Sequence, residues 1–148
     1  MSSWLWQHIP NVIKVYGGLL ITVIVLTIVD VGLKTVGYRR TCQLLLRVSP
    51  QPQTTHPDFR RATAVRRVVD RVSEPPLINS SCLRRSLTLW WLLRWLNVST
   101  QIRLGVNRDT GHAWVEHYGQ VINDIPDIST HYLVVYSNEL TPEVVGKR

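Results

Sequence analysis

Residues 82–124 read CLRRSLTLWWLLRWLNVSTQIRLGVNRDTGHAWVEHYGQVIND, and this stretch decides the fold. In its first part Leu83, Ser86, Leu87, Trp90, Leu93 and Leu96 recur every three or four residues, which predicts a core helix over 82–96. The chain breaker Glu74-Pro75-Pro76 lies upstream, and Asn79, Ser80 and Ser81 stand before Cys82 as candidate N-caps. After Asn97 the period changes to two. Residues 101–106 and 112–116 read as antiparallel strands joined by the turn Asn107-Arg108-Asp109-Thr110-Gly111. A tight turn at Tyr118-Gly119-Gln120 leads into a third strand over 121–124, and 131–136 makes a fourth. Helices first and an antiparallel sheet second is an α+β layout.

Upstream, residues 58–72 predict a helix with Asp58 as N-cap and Ala62, Val65, Val68, Val69 and Val72 on one face. Its other face carries Arg60, Arg61, Arg66, Arg67 and Arg71, either a solvated surface or a docking face for an acidic segment. Residues 38–48 predict another helix, which stops at Ser49-Pro50, and the proline-rich run 50–57 is a linker. The division expected is an N-terminal hydrophobic and basic helical segment, 1–50, and a globular domain, 58–148. Residues 15–29, VYGGLLITVIVLTIV, carry no charge and are extended by Val31 and Leu33. A membrane span needs about 20 apolar residues, so this segment is expected either to contact a membrane or to pack on the domain. Lys34, Arg39, Arg40 and Arg47 follow it and would hold the rest of the chain on the cytoplasmic side.

The net charge of +7 is unevenly placed. Residues 34–95 hold twelve bases against three acids, whereas 96–148 hold four bases against six acids. Such a block attracts nucleic acid, anionic lipid or an acidic peptide alike. No reading helix, zinc-finger spacing or phosphate loop accompanies it, so no nucleic-acid partner is expected. No metal site or cofactor is expected either. His112, His117, Glu116 and Cys82 include no CxxC, HxH or HExxH spacing, and the two histidines point to opposite faces of one strand. With no secretory signal, Cys42 and Cys82 are read as reduced thiols of a cytoplasmic protein.

A thiol is nucleophilic as thiolate, and the start of a helix favours the anion through unsatisfied N–H groups and the helix dipole. Cys82 occupies that position; the backbone N–H of Cys82 is also an oxyanion donor in reach of an acyl intermediate. Cys42, inside an apolar and basic helix, is expected to be a buried structural thiol. His112 opens a strand after Gly111, so it is the candidate base. Asp124, beyond the turn at Gly119, is the candidate for holding the imidazole, with Glu116 as the alternative. His8, His56 and His131 are expected on the surface, and Asp127, beside Pro126, in a turn.

CLRRSLTLWWLLRWL, RLGV and GHAWVEHYGQVIND together resemble the peptidase half of the lasso peptide B proteins, which are transglutaminase-like cysteine peptidases. The resemblance covers roughly 78–125, and the basic helix before the cysteine fits it. It implies a transglutaminase-like peptidase domain with catalytic Cys82, His112 and Asp124, acting on the leader of a ribosomal precursor peptide. It also implies a separate leader-recognition protein, in place of a fused winged-helix module, and an ATP-using lasso cyclase acting on the freed core. A transglutaminase-like acyl transferase acting on a peptide and an inert binding or membrane scaffold are the alternatives. Residues 129–148 show no resemblance in their sequence, and substrate contacts there stay open.

Overall fold

The computed structural model describes residues 11–53, 55–74 and 81–137. Four helices come first: α1 (Asn11–Thr35), α2 (Gly37–Val48), α3 (Phe59–Ser73) and α4 (Cys82–Trp95). Strands β1 (Gln101–Val106), β2 (Gly111–His117) and β3 (Gln120–Val121) follow, then the short helix α5 (Ile128–His131) and β4 (Leu133–Ser137). The sheet is antiparallel, in the order β3-β2-β1-β4.

The helix ends follow from local chemistry. Asp58 caps α3 by accepting the Arg61 amide at 2.9 Å, and Ser81 caps α4 by accepting that of Arg84 at 3.5 Å. The other two cap candidates, Asn79 and Ser80, lie outside the described residues. α2 and α3 stop at Ser49 and Glu74, both extended and both followed by proline, which disfavours helical backbone in the residue before it. α4 closes differently. Asn97 takes the left-handed conformation (φ 59°), and Val98 N–H donates to the Leu93 carbonyl at 2.8 Å. That is a Schellman closure, with asparagine where glycine is commonest.

The hairpin turns are equally local. Asn107 Oδ1 accepts the amides of Asp109 and Thr110 at 3.1 and 2.9 Å, which folds the β1–β2 loop. Tyr118 and Gly119 both have positive φ (48° and 74°), the two-residue turn that matches the twist of a hairpin.

α4 sits at the centre. Leu87, Leu89, Trp90 and Leu93 are buried with Ile102 and Val115 of the sheet, with Ala62 and Val69 of α3, and with Val25, Val29, Cys42 and Leu45 of α1 and α2. Charges reinforce this. Arg84 reaches Asp30 of α1 at 2.8 Å, and Arg85 reaches Asp70 of α3 at 2.6 Å, so adjacent arginines fasten α4 to two neighbours. Lys34 and Arg84 hold the Asp30 carboxyl below its ordinary range, the Lys34 hydrogen bond contributing most.

Two expected strands are corrected. The third is only Gln120–Val121, because Asn123 Oδ1 takes the Val115 amide at 2.8 Å and the backbone turns away from the ladder. The fourth starts two residues later than expected, since His131 ends α5 and Leu133 opens β4.

Candidate active site

Cys82 is the first residue of α4, and its thiol is free and half-buried. As the first two residues of a helix, Cys82 and Leu83 have amides with no intrahelical acceptor, so these N–H groups and the helix dipole face whatever meets the thiol.

His112 is the second residue of β2 and shares one sheet face with Trp114 and Glu116. Its Nε2–H donates to Asp124 Oδ2 at 2.6 Å; a carboxylate only accepts, so the proton sits on Nε2 and Nδ1 is left as the basic nitrogen. The second oxygen of Asp124 accepts the Ile125 amide at 2.8 Å. Both side chains are about one-fifth to one-quarter exposed (21% and 24%), sheltered yet open on one side.

The candidates are joined through a residue that sequence reasoning placed only in the helix core. Ser86, one turn after Cys82, donates to the Ala113 carbonyl at 2.9 Å and accepts from Asn123 Nδ2 at 2.9 Å. Ala113 follows His112 and Asn123 precedes Asp124. One buried hydroxyl therefore ties the cysteine helix to both neighbours of the His–Asp pair, and the side-chain polar atoms of Ser86 and Asn123 are all paired. The spacing CxxxS, which places both side chains on one helix face, is the signal that could have found it. No hydrogen bond joins the Cys82 thiol to His112.

Glu116 does not touch His112. It is buried, accepting from Trp114 Nε1 at 2.9 Å and Arg103 Nε at 3.0 Å, so it locks the floor of the sheet. Tyr132, which sequence reasoning also missed, stacks on His112 with ring centroids 5.2 Å apart and planes 24° apart. Gly105, paired with His112 in the register, makes room for it: a Cβ there would lie 2.6 Å from that of Tyr132 and 2.9 Å from the Trp114 ring.

The remaining candidates are elsewhere. His117 is fully buried, donating from Nδ1 to the Ser99 carbonyl and accepting the Asp58 amide on Nε2 at 2.9 Å. Cys42 is buried, and burial pushes its thiol up to about 11. His56 is exposed; His131, the last residue of α5, and Asp127, just before that helix, are exposed and 3.6 Å apart. His8 lies outside the described residues. Among the described residues no three His, Cys, Asp or Glu side chains converge as metal ligands.

The profile of the transglutaminase-like superfamily matches residues 23–137, from within α1 to the end of β4. The chain therefore belongs to the transglutaminase-like superfamily, which includes cysteine peptidases and acyltransferases and is commonly enzymatic through a cysteine. No curated protein and no solved structure matches it significantly.

Proposed function

We propose that this chain is a cysteine peptidase that removes the leader from a ribosomally made lasso peptide precursor before macrocyclisation, with Cys82, His112 and Asp124 as its catalytic residues. The observation that carries this reading is the 2.6 Å His112–Asp124 pair, anchored through Ser86 beside the helix that Cys82 opens. Its narrower part, the lasso leader, rests on the resemblance of 82–124 to the lasso peptide B proteins.

Cys82, its thiol proton passed to His112 Nδ1, attacks the carbonyl at the leader–core junction as thiolate. The oxyanion is met by the Cys82 N–H, and the imidazolium protonates the amine that leaves with the core. A water molecule, giving its proton to His112 Nδ1, then hydrolyses the thioester and frees the leader. Asp124 holds the ring in the tautomer this needs. The proposed setting is cytoplasmic, with a separate leader-recognition protein delivering the precursor and a lasso cyclase taking the core.

The test is mass spectrometry of a leader–core precursor incubated with the purified chain, with and without a leader-binding protein. Cleavage into leader and core is expected, with turnover lowered at least about a thousandfold in Cys82→Ala. Cleavage undiminished by that change would refute the assignment. An amine added to the peptide would mark an acyl transferase, and binding without turnover a scaffold.

A further inference from the structure

α1 is apolar all round, but the structure gives its faces different fates. Thr22, Val25, Leu26 and Val29 are buried against the domain. Leu20, Ile21, Ile24, Ile28 and Val31 form the opposite stripe and are 47–62% exposed. Among the described residues this is a continuous apolar stripe with nothing packed on it, larger than scattered surface hydrophobics explain. The segment Val15–Thr35, with mean hydropathy 2.1 over its most apolar 18 residues, is long and apolar enough to cross a membrane. Crossing, however, would strip Asp30 from Arg84 and expose the face that holds α4.

α2 turns back along α1, with Thr41 against Gly32, and its outward face is basic. Arg40, Gln43, Leu44, Arg47 and Val36 line a shallow recess of about 240 Å³. Two guanidiniums and an amide beside two apolar side chains suit a phosphate ester carrying a hydrocarbon chain. No carboxylate among the described residues pairs with Arg39, Arg40 or Arg47, whereas Lys34 is paired with Asp30.

We infer that the outward faces of α1 and α2 form a docking surface for an anionic lipid bilayer, with α1 lying in the interfacial plane instead of spanning it. The apolar stripe enters the acyl boundary while Arg40 and Arg47 engage headgroup phosphates. This surface is independent of the peptidase reading.

Flotation of the full chain with vesicles tests it. Vesicles of phosphatidylcholine with phosphatidylglycerol are expected to bind at least about tenfold better than phosphatidylcholine alone. Ile24→Ser with Ile28→Ser, and separately Arg40→Glu with Arg47→Glu, should each lower that binding by about tenfold with unchanged thermal unfolding. Arg60→Glu with Arg67→Glu on α3 should leave most of it. A tag placed before Met1 should stay cleavable by protease added outside the vesicles. Equal binding to neutral vesicles, equal loss from the α3 pair, or a protected tag would each overturn the proposal. So would absence of binding with a self-associated chain that the isoleucine changes dissociate, which would assign the stripe to a second copy.

Discussion

β2 carries a histidine near each end, and the structure treats them in opposite ways. His117 uses both ring nitrogens inside the protein, one on the Ser99 carbonyl and one on the Asp58 amide, and is fully buried. His112 uses one nitrogen, on Asp124, and keeps the other available beside a half-open edge. Residue type and strand are the same. What separates a purely structural histidine from one left able to meet a ligand is whether folding consumes the second nitrogen.

Exchanging each ring for alanine gives the largest contrast. His112→Ala is expected to lower precursor cleavage by about a thousandfold or more while the melting temperature stays near that of the parent. His117→Ala should do the reverse. It takes away the partner of the Ser99 carbonyl and of the Asp58 amide and leaves a cavity where the buried ring sat, a loss of about 2–4 kcal/mol measured by urea unfolding. Equal activity losses per folded molecule would dissolve the distinction.

A smaller effect probes what holds His112 in place. Gly105→Ala puts a methyl where the Tyr132 and Trp114 side chains already sit, so a destabilisation of about 1–3 kcal/mol is expected, together with a fall in turnover as the stacking partner shifts. A change in stability without any change in turnover would show that Tyr132 merely packs.

The two cysteines extend the same contrast to thiols, with the smallest effect. Burial raises Cys42 from its ordinary 9.0 to about 11, so folding favours its neutral form. Its contribution is fully present below 9.0 and fades as pH rises through 11. The stability gap between the parent and Cys42→Ala should narrow across that window, by up to about 3 kcal/mol. A gap that widens with pH would place the thiol in a charged role. Thiol labelling of the native protein should reach Cys82 well before Cys42.

Much of this was legible in the chain. Capping residues, helical spacing from Cys82 and the turns after Val106 and His117 are local signals, because each depends on hydrogen bonds within a few residues. The third strand was misjudged because Asn123 competes for the ladder through its side chain, which periodicity cannot register. The contact of Ser86 with Ala113 and Asn123 spans 27 and 37 residues and leaves no trace in either segment alone. α1 posed a related difficulty. A helix apolar all round shows no preferred face, so only packing could select Val25, Leu26 and Val29 for the core and leave Ile24 and Ile28 outside.

The stretch 82–124 thus determined by itself a helix opened by a cysteine, a hairpin opened by a histidine and a turn before an aspartate, since backbone preference and hydrophobic period act locally. Tertiary structure alone decided that Asp124 and not Glu116 meets His112, that Ser86 ties the cysteine helix to that pair, and that Tyr132 covers the ring. Those choices come from long-range competition for buried hydrogen bonds and space, which is settled only when the sheet closes on α4.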